Sequence, residues 1–246
     1  YKPMYHTFKI KDAHIVASDE QTHSPGVWDT SDVMGKDWFN SIPGQTILDA
    51  GCRDGWWSLL FSQIGKETYA MDWDDLDRRR EVVKLVDSNY EFHHETIYNA
   101  ASLKTKFDTV WISDVVCHLL NPVLALSQLR QITGDYLYVG FDQCEVKGSV
   151  TGHYGAWTPA SPVMGLGIRS YPGLHTPQSM ERLLNIAGFT DIEMIGDYRV
   201  TMDQKPEHWD SELERVNNVM RAKPGSEFLP ERDVIGWKYE GKGLQA

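Results

Sequence analysis

The stretch Thr46-Ile47-Leu48-Asp49-Ala50-Gly51-Cys52-Arg53-Asp54-Gly55-Trp56-Trp57-Ser58 constrains the fold more than any other part of the chain. It reads as a short buried strand, a tight glycine turn and the start of a helix. Ile47 and Leu48 supply the strand, and Gly51 and Gly55 open backbone angles that other residues rarely adopt. Glycine at such a turn lets a ligand approach the backbone, and a helix starting there aims its free N–H groups at that ligand. The next strand, Thr68-Tyr69-Ala70-Met71, ends on Asp72-Trp73. An acidic residue about 20 positions after the glycines, at the tip of the second strand, is placed to bond a ribose hydroxyl pair. Without a ligand, the same turn would be no more than a strand-to-helix connection.

Strand and helix patterns alternate through most of the remaining sequence. A helix after Gly55 carries Trp56, Leu59, Leu60 and Ile64 on one apolar face and closes at Gly65. A second helix is expected over 75–88, and a third strand over Tyr90-Glu91-Phe92-His93 leads into Glu95-Thr96-Ile97-Tyr98. Phe107 to Asp114 is a nearly continuous apolar run of the kind buried in a parallel sheet. Asn121-Pro122 opens a helix that stops at Gly134, and Tyr136–Gly140 forms the fifth strand. Thr176-Pro177 begins another helix, closed by Gly188, and Asp191–Ile195 is the sixth strand. Residues 203–231 form a polar excursion, helical from about His208 to Met220, and Asp233–Lys238 completes seven strands. This order predicts an α/β fold with a doubly wound, mostly parallel, Rossmann-like sheet. Ligands of such sheets sit beyond the strand C-termini. Asp49–Gly55, Asp72, Thr96-Ile97 and Ser113-Asp114 all fall at those ends, so four separate segments converge on one crevice.

Two regions stand outside the alternation. Residues 1–45 hold no strongly periodic segment, apart from a short strand near His14–Ala17 and a short helix over 30–40. They read as an arm covering the crevice mouth of a domain spanning 46–246. Residues 142–171 break the pattern with glycines, prolines and scattered aromatics, and a loop of that length is usually functional or disordered. His153, Tyr154 and Trp157 lie within it, so it reads as a substrate lid.

Composition excludes several partners. A net charge of -11 with scattered basic residues argues against a broad electrostatic grip on nucleic acid. No apolar run approaches the ~18 residues of a membrane span, and the first residues lack a signal-peptide pattern. Cys52, Cys117 and Cys144 show neither paired nor metal-like spacing, which suits a reducing, cytoplasmic setting without a metal. The nine tryptophans fit either core packing or aromatic surfaces around a ligand.

The D-x-G-x-x-x-G layout of Asp49, Gly51 and Gly55, followed by Met71-Asp72, resembles the first motif and acidic partner of class I S-adenosylmethionine-dependent methyltransferases. Arg53 stands where such enzymes usually carry another glycine. A nicotinamide enzyme fits less well, because the third glycine of its fingerprint is missing. Phe107-Asp108-Thr109-Val110-Trp111-Ile112-Ser113-Asp114-Val115-Val116-Cys117-His118-Leu119-Leu120-Asn121-Pro122 is similar to a segment of the bacterial enzymes that modify wobble uridine in tRNA. The likeness continues in Tyr171-Pro172 and in Leu183–Ile192. Those enzymes use a carboxylated cofactor held partly by a tyrosine where this chain has Cys117, and they carry a basic N-terminal region. Both departures favour ordinary S-adenosylmethionine and a small-molecule acceptor over RNA.

The resemblance implies roles for particular residues. Asp49, Gly51, Arg53 and Gly55 would form the cofactor turn, and Asp72 would hold the ribose with Trp73 against the adenine. Thr96 and Ile97 would offer backbone groups to the adenine edge, while Ser113 and Asp114 lie toward the methionine end. Methyl transfer is a direct displacement that needs alignment and, for some acceptors, a base. His118 and His153 are the candidate bases, and Tyr154 and Trp157 the candidate substrate contacts. An RNA methyltransferase or a non-catalytic cofactor-binding subunit are the competing readings.

Overall fold

A computed structural model describes residues 8–10, 13–15, 40–74, 90–143, 175–199 and 216–225. Most of the expected arm, the helix over 75–88, the lid from residue 144 onward with His153, Tyr154 and Trp157, and the strand over 233–238 lie outside those residues; the lid's first two expected residues, Asp142 and Gln143, end a strand. Within the arm, β1 (Phe8–Ile10) and β2 (Ala13–Ile15) pair antiparallel as a small hairpin.

The main sheet begins with β3 (Thr46–Ala50), which continues through the glycine turn into α1 (Trp56–Gln63). β4 (Glu67–Asp72) and β5 (Tyr90–His94) follow, and then a 3₁₀ segment over Ile97–Leu103. β6 (Phe107–Ser113) leads through a short turn at Val116–His118 to α2 (Pro122–Ile132). β7 (Thr133–Gln143), α3 (Pro177–Ile186), β8 (Phe189–Arg199) and β9 (Val216–Pro224) complete the described elements.

The seven strands lie in the order β5-β4-β3-β6-β7-β9-β8. β3, β4, β5, β6 and β7 pair in parallel, and β9 runs antiparallel between β7 and β8. The expected doubly wound, mostly parallel sheet of seven strands is therefore present. The chain leaves β3 toward β4 and β5, then returns to β6 on the other side. That reversal opens a crevice at the C-terminal ends of β3 and β6.

One expectation is corrected. Residues 216–220, read as the end of a helix, belong to β9. The polar Asn217, Asn218 and Arg221 hid this strand from periodicity arguments, yet Val219, Met220 and Ala222 are buried between β7 and β8. Long-range pairing on both edges overrode the local pattern.

Local signals explain the other elements. Asn121 caps α2 by accepting the Leu124 N–H at 3.1 Å, and Thr176 caps α3 through the Ser179 N–H at 3.2 Å. Both helices start with proline at a position that needs no N–H. At the opposite end of the sheet, Asp108 Oδ2 accepts the N–H groups of Gln45 at 2.7 Å and Thr46 at 2.9 Å. Those bonds, the Thr46 one foremost, hold its carboxyl below the usual range and fix the starts of β3 and β6. Gly44 sits against Asp108 with φ 82, where an added Cβ would lie 2.3 Å from the Asp108 Cβ.

Core packing divides between the two faces of the sheet. One face carries Val110, Ile112, Leu137 and Val139 against Leu126, Leu129, Met180 and Leu184 of α2 and α3. The other carries α1, whose Trp57 lies 4.7 Å from the Trp111 ring, with Phe61 at 5.6 Å. Trp56, Trp57, Ser58, Leu59 and Phe61 are all buried. The helix is apolar nearly all round, which a single stripe did not anticipate. Trp56, Trp57 and Trp111 are thus core residues and not ligand surfaces.

Candidate active site

The C-terminal ends of four adjacent strands lie side by side; hydrogen bonds join the β3, β4 and β5 segments, and the β6 segment lies over Gly51. From β3, the turn begins at Gly51, whose φ of 80° suits glycine. Its N–H and that of Cys52 donate to the Met71 carbonyl at 2.8 and 3.0 Å. A side chain at Gly51 would place its Cβ 2.6 Å from Val115 Cγ2, so the backbone passes directly under the segment after β6. Arg53 follows with φ 49 and Gly55 with φ 82. Arg53 thereby adopts the left-handed conformation that glycine would supply, and its N–H donates to Asp72 Oδ2 at 2.7 Å.

Asp49 is buried, and its Oδ2 accepts the Ser58 hydroxyl at 2.6 Å. This bond ties the end of β3 to the first turn of α1, so Asp49 braces the turn from below. Ser58 escaped the sequence reading; its signal is a small hydroxyl amid aromatics, in the turn of the helix nearest Asp49.

Asp72 ends β4 and is 8% exposed. Besides Arg53, the Asp74 N–H donates to its Oδ1 at 2.9 Å. Each carboxylate oxygen accepts up to two hydrogens, so both retain acceptor capacity while their direction is fixed. Trp73, next in the chain, is 63% exposed. Its carbonyl lies 2.8 Å from His94 Nε2 at the end of β5. The Glu95 N–H donates to the Asp72 carbonyl at 3.0 Å, which ties the third segment to the second.

That third segment differs in detail from expectation. The Thr96 N–H donates to Glu95 Oε1 at 2.8 Å, while the Thr96 hydroxyl accepts the Tyr98 N–H at 3.4 Å. Glu95 Oε2 also accepts Asn99 Nδ2 at 3.0 Å and the Ser102 hydroxyl at 3.3 Å. The Thr96 N–H foremost, then Asn99 and Ser102, hold the Glu95 carboxyl below its ordinary range against the opposing effect of desolvation. The Ile97 side chain is buried in the core. Glu95 and His94, which motif reasoning passed over, are bonded into the same strand ends and flank the expected adenine loop.

The fourth segment is Ser113-Asp114. Asp114 takes φ 56, and its N–H donates to the Gly140 carbonyl at 2.9 Å. The Ser113 hydroxyl donates to Asp114 Oδ2 at 3.2 Å. A Cβ at Gly140 would lie 2.6 Å from Ser113 Oγ, so a glycine there leaves room for this turn. Cys117 is buried with Sγ 3.5 Å from the Asp114 carbonyl. His118 is exposed at the end of the same turn, its N–H donating to the Val115 carbonyl at 2.9 Å.

The structure therefore brings together Asp49, Gly51, Arg53, Gly55, Asp72, Trp73, Thr96, Ile97, Ser113 and Asp114 at one sheet end, with His118 on the segment that follows. Among the described residues, no cluster of His, Cys, Asp and Glu could hold a metal ion, and no helix is long and apolar enough to cross a membrane.

Comparisons with known proteins bear on this crevice. Residues 35–194 match the family model described as a methyltransferase domain. The N-terminal domain of EvdMO1, solved with SAH bound, is 16% identical over 91% of this chain and 92% of that one, with a TM-score of 0.66. Magnesium protoporphyrin IX methyltransferase from Synechocystis PCC 6803, with bound SAM, is 19% identical over 76% and 73%, with a TM-score of 0.52. The 1,6-didemethyltoxoflavin-N1-methyltransferase of Burkholderia thailandensis is 16% identical over 73% and 70%, also at 0.52. At these identities the solved structures share the fold. No curated protein matches this chain in sequence.

Proposed function

The chain belongs to the methyltransferase-domain family, and from that premise we propose that it transfers a methyl group from S-adenosylmethionine (SAM) to a small-molecule acceptor. The observation that carries this reading is the meeting of the β3, β4 and β5 ends at Asp72. Its carboxylate is aimed by two backbone N–H groups yet keeps acceptor capacity on both oxygens. That geometry fits a ribose hydroxyl pair. SAM supplies an electrophilic methyl group on a sulfonium, ready for displacement.

The residues then divide the work. Asp72 accepts from the ribose hydroxyls, and the exposed Trp73 offers its ring to the adenine. Asp49 and Ser58 hold the turn rigid beneath the methionine half, where glycine at position 51 lets the backbone pass close under Val115. Ser113 and Asp114 border the same end. His118 is the described residue best placed after β6 to take a proton from the acceptor. Residues 142–171 are proposed to close over the acceptor and exclude water, with Tyr154 and Trp157 as an apolar wall and His153 as a second candidate base.

Three features favour a small acceptor: the net charge of -11, the lack of a long basic run, and neighbours that act on small molecules or were solved with them. EvdMO1's N-terminal domain was also solved in the presence of SAH and D-fucose, which puts sugars on the panel of acceptors to test. The segment over 107–122 favours a second reading, a tRNA wobble-uridine enzyme. Cys117 weighs against it, because a buried thiol cannot hold a cofactor carboxylate as a tyrosine hydroxyl would. Three cysteines without paired or metal-like spacing suit a reducing compartment, so we propose the cytoplasm as the place of action.

Incubation with methyl-labelled SAM and fractionated cell extract tests the reading. Label should enter low-molecular-mass metabolites. Label in RNA, with binding that weakens steeply with salt, would establish the second reading instead. SAH binding without turnover on any fraction would mark a non-catalytic subunit.

A further inference from the structure

We propose that His94 is a positioning residue for the cofactor's adenine, acting through the Trp73 peptide. The proposal rests on the reading of Asp72 and Trp73 as the cofactor mouth. His94 ends β5 directly opposite Asp72 in the parallel register of β4 and β5. Its Nε2 lies 2.8 Å from the Trp73 carbonyl oxygen. A carbonyl only accepts, so Nε2 carries the hydrogen and donates, whether the ring is neutral or charged.

The bond completes a set of ties around one turn. Asp72 Oδ1 accepts the Asp74 N–H, and Oδ2 accepts the Arg53 N–H. The Glu95 N–H holds the Asp72 carbonyl from β5. The Trp73 carbonyl and the Asp74 N–H belong to one peptide, which Asp72 Oδ1 holds by its N–H and His94 holds by its carbonyl, so His94 ties that peptide to β5. Trp73 needs that support because its indole is 63% exposed. A ring with so little packing around it takes its direction from its own backbone. His94 is itself exposed and edge-placed, so its bond adds little to the stability of the whole fold. Its effect is local, on where the indole stands when an adenine arrives.

The test is a double-mutant cycle in the full chain, read by calorimetric binding of SAH and of adenosine. His94→Ala should weaken both ligands by the same factor, about fivefold to tenfold, the scale of one lost hydrogen bond. His94→Gln, whose amide also donates, should retain most of the affinity. In a Trp73→Ala background, His94→Ala should cause no further loss. Thermal melting of each variant should move by only a degree or two. Unchanged SAH affinity in His94→Ala overturns the proposal. So does an equal loss with and without Trp73, because His94 would then act elsewhere. If the unaltered chain binds no SAH at all, the cofactor reading itself falls, and the two failures remain distinct.

Discussion

Replacing Asp72 with alanine separates binding from bracing at the centre of the site. The substitution removes the acceptor of two backbone N–H groups, Arg53 at 2.7 Å and Asp74 at 2.9 Å. Each bond to a charged acceptor contributes about 1.5–3 kcal/mol. Arg53 is exposed and Asp74 half-buried, so water recovers part of the loss. A net destabilisation of roughly 2–3 kcal/mol follows from the lower end of that range. For a chain of this size, 1 kcal/mol moves Tm by about 2–4 °C, which puts the expected fall at about 4–12 °C.

The effect on the cofactor is separable from that fall. Losing a charged acceptor for ribose hydroxyls should weaken SAH by about 1–3 kcal/mol, or roughly fivefold to 150-fold. Asp72→Asn sharpens the comparison. Its amide keeps one acceptor oxygen but turns an NH₂ toward the other backbone donor, so one internal bond survives and one becomes a conflict. Calorimetry with SAH well below both melting transitions gives the affinity, and thermal scans give Tm. A lowered Tm with unchanged SAH affinity would refute the reasoning, because Asp72 would then brace the turn without touching the ligand.

Three further outcomes are expected. At φ 49 a side chain costs about 1–2 kcal/mol over glycine, so Arg53→Gly should match or exceed the parent in thermal stability. Arg53→Val should melt lower than both, and equal melting of the two variants would contradict the strained turn. Burial holds the His175 imidazole below its ordinary value of 6.5. The folded state therefore binds its proton less readily than the unfolded chain, so stability declines as pH falls below 6.5 and levels off once the folded-state pKa is passed. His175→Gln should flatten that decline in urea titrations between pH 7 and 5, and an unaltered slope would assign the decline to other groups. His118→Ala should lower turnover by about 10²–10⁴-fold with SAH affinity unchanged. Full activity in that variant would shift the base assignment to His153.

Much of the crevice was legible because its parts are local in sequence. The turn from Asp49 to Gly55 needs glycine geometry within a few residues, and Asp72 sits at the end of an apolar run that ends abruptly. What stayed hidden was relational. Arg53 reads as a break in a glycine pattern, yet its backbone takes the glycine conformation because Asp72 rewards its N–H. Thr96 and Ile97 read as offering backbone groups to an adenine edge, and of these the Thr96 N–H is already bonded to the adjacent Glu95 carboxylate. β9 shows the same limit at larger scale. Its asparagines and arginine give no strand signal, and its place between β7 and β8 depends on partners about 80 and about 25 residues away. Tryptophan content was ambiguous for a related reason: Trp57 and Trp111 are core because α1 lies across the sheet, while Trp73 is exposed because its strand has ended.

These relations also set the strand ends around Asp72 apart from the proposed acceptor side. Every segment at the Asp72 end is bonded to its neighbour: the turn to Met71 and Asp72, Asp72 to Glu95, Trp73 to His94. A ligand arriving there finds donors and acceptors already aimed, so little ordering cost is charged against its affinity. Such bonds use backbone groups and a few short-range side chains, which is the kind of information a motif carries. The acceptor side is different in kind. Its described residues are the turn over Val116–His118 and the ends of β6 and β7. On the proposal that residues 142–171 wall the acceptor, swapping them should change which acceptor is methylated while leaving SAH affinity within about tenfold.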